Sequence, residues 1–413
     1  MIRSHQITRT IDIPLSPPVS RLSIPFTITV NTTMSTSPTP QSASATRDWS
    51  EMPDLILAII ARLLLPSLHD LYSLASVCHS WRALLRSLSP SLLPSLPPLL
   101  LSPPSSHLLT PMNPAFAFSP SPLLLPHSSS ARFLSSSHGH LLFLPALSCL
   151  PLQPFLADVI TGSHILLPPL PSDYHRFSYY YATLTAPPFS PSSRFFLFFS
   201  KFAFLSCHVS SPDATWTRHR YSPDISFIVH VVSFKGRLFG LNDRARLLEI
   251  DLSSDQTPSV RFFKLLRPVH APHDFDRWHF GPQLVATSDQ LLLVLFVFNN
   301  DTNISMLYPD RRRVTKIEVY SLDWKRMEWV EVKALLDCAI FVDCAGKSPI
   351  LCEKPENWGG ESGCVYVAGP GFDRWRRYLL DENMIVPLRP LLFSTIPEPR
   401  WPSPIWIQPS LFY

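Results

Sequence analysis

Glycine is the first shortage. Only 11 of the 413 residues are glycine, against a usual share of about 7%. A phosphate cradle made from a glycine-rich loop has little material here, and none is visible. Charge is also scarce: charged residues make up 16% and the net charge is +4. So weak a balance predicts neither a nucleic-acid partner nor attraction to a membrane surface. No apolar run reaches the ~20 residues of a bilayer-spanning helix. The strongest, FFLFF at 195–199 and LLLVLFVF at 291–298, read as buried strands.

Paired cysteines and catalytic motifs are missing too. Cys78, Cys149, Cys207, Cys338, Cys344, Cys352 and Cys364 are odd in number, irregular in spacing and without a Cys-x-x-Cys pair. They read as reduced, mostly buried thiols of an intracellular protein rather than a disulfide framework or a zinc site. There is no Gly-x-Ser-x-Gly elbow and no His-Glu-x-x-His. Carboxylates such as Asp381 and Glu382 are sequence neighbours and offer no opposed geometry for acid–base work. His138 and His140 fall on one side of a strand but lack a third ligand, so they read as turn histidines. The arginines at 311–313 read as a solvated loop tip. The expectation is a chain with no catalytic residues, no metal and no cofactor.

Proline is what the chain has in excess: 45 residues, about twice the usual ~5%. The hydrophobic share of 46% is enough for a sizeable core, and the length suggests roughly two to three units. Residues 1–46 are rich in Ser, Thr and Pro, with Asp12 as the only acid. The composition is like that of a transit peptide. With no sustained amphipathic pattern, they read as a disordered segment, with Met34 as a possible internal start and residues 1–33 dispensable.

Residues 47–88 carry helix signals. Pro53 and Asp54 suit a first turn. Leu55 to Leu65 are apolar except for Arg62, so this helix must be covered on more than one side. Pro66 stops it. Ser67 and Asp70 have capping spacing, and Leu71, Leu74, Ala75 and Cys78 form one face of a second helix. Trp81, Leu84, Leu85 and Leu88 form a stripe on a third. So small a unit cannot bury that much apolar surface alone, which marks a protein partner, and Trp81 and Arg82 are residue types that anchor interfaces.

Trp49, Met52, Pro53, Leu57, Ile60, Leu63, Leu68, Asp70, Leu71, Val77, Cys78, Trp81 and Arg82 stand in the order of an F-box, which this segment resembles. The resemblance implies docking on the Skp-type adaptor of a cullin-RING ubiquitin ligase. The contact would be made by Trp49, Pro53, Leu57, Ile60, Leu63, Leu68, Leu71, Val77, Cys78, Trp81 and Arg82.

Residues 89–128, Pro/Leu/Ser-rich, read as a semi-rigid connector holding two parts apart, because proline at this density forbids a continuous helix or central strand. From 129 to 413 short strands alternate with turn residues, as in SSHGHLLFLP, VVSFKGRLFGLNDRARLLEIDL and KIEVYSLDWKRMEWVEVKAL. The pattern favours an all-β propeller or sandwich without a strict repeat period. Residues 129–413 are expected to fold alone. Ser136-Ser137-His138-Gly139, Thr161-Gly162 leading to Leu167-Pro168-Pro169-Leu170, Phe234-Lys235-Gly236-Arg237-Leu238, the hairpin from Val319-Tyr320 to Trp329, and Trp406 before Pro409-Ser410 together resemble plant F-box proteins with a KIB-like (kelch-like) β-propeller domain. His140 and Asp158-Val159 depart from that pattern.

The expected fold is therefore mainly β, with a small N-terminal α-helical F-box at 47–88 and a C-terminal β-propeller-like domain at 129–413. The expected function is that of a non-catalytic substrate receptor in the nucleus or cytoplasm. It would meet cullin through the adaptor and hold an unknown target protein, with no nucleic acid or membrane partner. The alternative is a propeller binding module for a small ligand or glycan, with an F-box that no longer docks.

Overall fold

The computed structural model of the protein describes residues 52–65, 67–102, 107–109, 117–118, 131–145, 151–211, 214–252, 259–266, 281–298, 314–343, 349–368, 375–380 and 404–409. Residues 1–46, Trp49, Cys149, Cys344 and the arginines at 311–313 lie outside them. Three helices come first. α1 (Asp54–Leu63) follows Pro53, with Asp54 in its first turn and Arg62 in its last, each complementing the helix dipole. α2 (Leu68–Ser76) is capped as its spacing predicts: Ser67 Oγ accepts from the Asp70 amide at 3.3 Å. α3 (His79–Leu92) runs four residues past the expected end, through Pro90. A proline there removes one ladder bond near the helix end. The fully buried Leu92 and Leu96 hold the extension in place.

The chain then lays down β1 (Leu99–Ser102), β2 (His107–Leu109) and β3 (Ala117–Phe118). Five four-stranded sheets follow, each from one continuous stretch. The first is β4 (Ala131–Ser137), β5 (His140–Pro145), β6 (Phe155–Asp158) and β7 (His164–Leu166). The second is β8 (Tyr181–Leu184), β9 (Arg194–Phe198), β10 (Ala203–His208) and β11 (Thr217–Arg220). The third is β12 (Ile228–Phe234), β13 (Arg237–Asn242), β14 (Leu247–Asp251) and β15 (Ser259–Phe262). The fourth is β16 (Gln283–Ala286), β17 (Leu291–Phe298), β18 (Val314–Asp323) and β19 (Glu328–Glu331). These four are antiparallel meanders. The fifth, β20 (Cys338–Asp343), β21 (Ile350–Glu353), β22 (Cys364–Ala368) and β23 (Trp375–Leu379), has the order β21-β20-β22-β23, with β20 and β22 parallel. Finally β24 (Ile405–Ile407) pairs with β1, so strands from the two ends of the β region build a sixth sheet, ordered β24-β1-β2-β3. The expected β-propeller is the observed fold.

Why the strands are so apolar follows from the ring. Each strand lies between two neighbouring sheets, and its side chains alternate between the two seams. In β9, Phe195 and Leu197 enter the seam toward β4–β6, while Phe196 and Phe198 enter the seam toward β12–β14. In β17, Leu292, Val294 and Phe296 face the fifth sheet, and Leu291, Leu293 and Leu295 face the third. Two hairpins turn through residues with positive φ at both central positions, His138 (48°) with Gly139 (76°) and Lys235 (49°) with Gly236 (74°). This is the geometry that matches strand twist. Polar cross-links join neighbouring sheets. The Leu184 amide donates to Ser137 Oγ at 3.3 Å, the Val231 amide to Tyr181 Oη at 3.0 Å, and Gln283 Nε2 to the Asp343 carbonyl at 3.2 Å.

Where a connector is expected at 89–128, the described residues form the end of α3, the turn after it, and β1, β2 and β3 of the ring. β1 is an interior strand, its register running Leu99 to Ile407 and Leu101 to Ile405. Prolines stand outside it, at 97–98, so its ladder is intact. One core then joins what the sequence separates: Ala61, Leu65, Leu68, Leu71, Leu85 and Leu92 of the helical segment pack with Leu99, Leu101, Ala131, Phe143 and Ile407 of the sheets. The boundaries at 88, 89 and 129 therefore do not divide independent bodies.

Buried histidines make the fold acid-sensitive, and two of them show how. His219 bonds Ser206 Oγ at 2.7 Å and lies against Phe204; burial, with Arg194 nearby, lowers its pKa to about 4. His230 lies beside Tyr181, and burial lowers its pKa to about 3. Both are neutral when folded. Above the unfolded value of 6.5 their contribution is complete; as pH falls below it, the unfolded chain binds protons that the native ring refuses. Each group then costs about 1.4 kcal/mol per pH unit, so the pair removes roughly 4 kcal/mol by pH 5. Urea melts at pH 7 and pH 5 check this, with His230→Gln removing part of the loss. Equal midpoints at the two pH values contradict it.

Candidate functional site

α1 has two apolar faces and the fold covers one. Leu57 and Ala61 turn inward. Leu55 (73% exposed), Ile56 (47%), Ile59 (50%) and Leu63 (73%) stand on the other side, at three- and four-residue spacing. Val77, at the α2–α3 junction, is 58% exposed. These five form the apolar part of the helical surface open to a partner, the kind of feature that marks a protein-interaction site.

The residues expected to make that contact are split by the structure. Pro53, Leu63 and Val77 are exposed and Ile60 is half-buried. Cys78, half-buried, precedes α3, with its Sγ 3.1 Å from Ser80 Oγ. Arg82 is exposed, yet its Nε donates to the Ala75 carbonyl at 3.1 Å, tying α3 to the last turn of α2. Leu57, Leu68, Leu71 and Trp81 are corrected: all four are buried within the chain, and Leu68 and Leu71 belong to the core shared with the sheets. They hold the helices rather than meet a partner. Leu55, Ile56 and Ile59 take their place, and they are absent from the F-box pattern above. A helix apolar all round gives no periodic signal to say which stripe stays in water.

It follows that Leu57→Ala with Trp81→Ala acts on stability first. Large-to-small changes at such sites cost about 2–5 kcal/mol each, so a loss of at least ~4 kcal/mol is expected in urea unfolding. An unchanged midpoint would return both side chains to the surface.

A second feature is a cavity of ≈ 480 Å³ lined by the inner strands β4, β8, β12, β16 and β21 and by Gln408, with Leu93 and Pro94 from the turn after α3 at its edge. Gln408 Nε2 donates to the Leu93 carbonyl at 2.9 Å, which fixes that edge. Among the described residues, no group of three or more His, Cys, Asp and Glu is placed to hold a metal ion. Cys207, Cys338 and Cys352 are free thiols. Burial pushes Cys207 and Cys352 up to about 12, so neither is a ready nucleophile. No helix among the described residues is long and apolar enough to cross a membrane.

A closed ring of small sheets, with an apolar helical face beside it, defines a β-propeller and points to a protein-binding module. Residues 111–387, two thirds of the chain, match the KIB1-4 beta-propeller family, and the chain belongs to it. The matched span begins beyond α1, α2 and α3. No curated protein matches the chain.

Proposed function

We propose that the protein is the substrate-recognition subunit of an SCF-type ubiquitin ligase, its helices docking on the Skp-type adaptor and its propeller holding the target. The observation that carries this reading is the uncovered apolar stripe of α1, in the same segment whose sequence resembles an F-box. The other side of these helices is welded to the sheets. A target on the propeller would therefore be held rigidly relative to the ligase. The gain in rate is proximity: a held target meets the charged ubiquitin carrier at high effective concentration. No residue of this chain need make or break a bond, and the nucleus or cytoplasm, where such ligases work, is the setting.

Co-expression with a Skp-type adaptor and cullin tests the reading. Co-elution in equimolar amounts is the expected result. Separate elution with adaptor in excess would favour the free-standing binding module, with a small ligand or glycan on the propeller.

A further inference from the structure

The cavity has a chemistry of its own. Five of the six sheets give their inner strands to it and Gln408 completes it beside β24, with a volume of ≈ 480 Å³. Small-molecule sites span about 300–1,000 Å³. Among the described residues, no lysine or arginine lines it. Its polar groups are mainly the hydroxyls of residues such as Ser136, Ser233 and Ser288, with histidine rings, the Glu353 carboxylate and the Gln408 amide. His230 is only 5% exposed, and its Nδ1 has no hydrogen-bond partner among the described residues. The rest of the wall is mostly aliphatic side chains of the same strands, with the Tyr181 ring and prolines from the adjoining turns.

Each class of ligand meets this lining differently. An anion would face Glu353 with no cation to offset it. A purely apolar molecule would strip water from the hydroxyls and the imidazole and leave them unpaired. A hydroxyl group both donates and accepts, as does a serine; a neutral imidazole offers one of each, and a carboxylate accepts. The aliphatic wall suits the C–H face of a saturated ring. The geometry points to a neutral, polyhydroxylated small molecule of saccharide size as the ligand of this cavity. Such a ligand touches Leu93 and Pro94 as well as the inner strands, so its binding stabilises the junction of helices and ring.

The test uses the full chain, in calorimetry and thermal unfolding. The probes are glucose, galactose, mannose and N-acetylglucosamine, with glucose 6-phosphate and glucosamine as charged counterparts. The expected result is one-to-one binding of at least one neutral sugar, with a raised Tm and weaker binding of both charged forms. Glu353→Gln should weaken that binding about tenfold by removing a charge-assisted acceptor. Ser233→Leu, at an exposed position, should block entry while leaving the unliganded melt unchanged. Failure of all four neutral sugars at ~10 mM, tighter binding of a charged form, or undiminished binding in both variants would overturn the proposal. None of these outcomes bears on adaptor docking, which co-elution reads separately.

Discussion

Residues 129–413 made alone are expected not to fold cooperatively. The fragment lacks β1, β2 and β3, so β24 has no strand to pair with and the ring cannot close. It also lacks Leu92, Leu96, Leu99, Leu100 and Leu101, all at most 4% exposed. Fully burying one such side chain is worth about 1.5–3 kcal/mol. Losing five removes roughly 8–15 kcal/mol, comparable with the whole stability of a typical domain, about 5–15 kcal/mol. Circular dichroism on the fragment and on residues 52–413 reads the difference. The longer chain should melt sharply with a fixed near-ultraviolet signal, and the fragment should show neither. A sharp melt of the fragment would mean that the sixth sheet is not needed. A milder version is Trp406→Ala: this fully buried ring packs edge-on against Phe341 at 4.9 Å, and its loss should cost about 3–5 kcal/mol.

The second large effect concerns the α1 face. Ile59→Asp with Leu63→Asp should leave the fold intact, because both side chains are half or more exposed. It should also place two carboxylates where an apolar partner surface has to sit. Interface anchors are worth about 2 kcal/mol or more each, so adaptor affinity should fall by at least ~100-fold. This separates surface from core: Leu57→Ala with Trp81→Ala lowers binding only by loosening the helices, and the loss shows first in the melt.

Parts of this were legible in the sequence because the signals are local. Ser67 and Asp70 are three residues apart and cap α2 as their spacing says. The first four residues of FFLFF and all of LLLVLFVF lie in strands, and His138-Gly139 and Lys235-Gly236 sit at hairpin turns. What could not be read is whatever two distant segments decide together. β1 and β24 are short, flanked by prolines, and some three hundred residues apart, so neither carries the alternation that marks a strand. Proline density therefore suggested a linker where the ring closes. Arg82 is of a residue type that anchors interfaces, yet its Nε is held by the Ala75 carbonyl, a bond that depends on how α2 and α3 cross. The cavity was invisible for the same reason. Its lining comes a few residues at a time from strands spread across the chain.

The measurement that bears most directly on the account is a calorimetric titration of a Skp-type adaptor into the full chain and into the Ile59→Asp, Leu63→Asp variant, with matched melts. One-to-one binding by the first, at least ~100-fold weaker binding by the second, and the same Tm for both are expected. Equal affinity in the two proteins, or no binding by either, would contradict this.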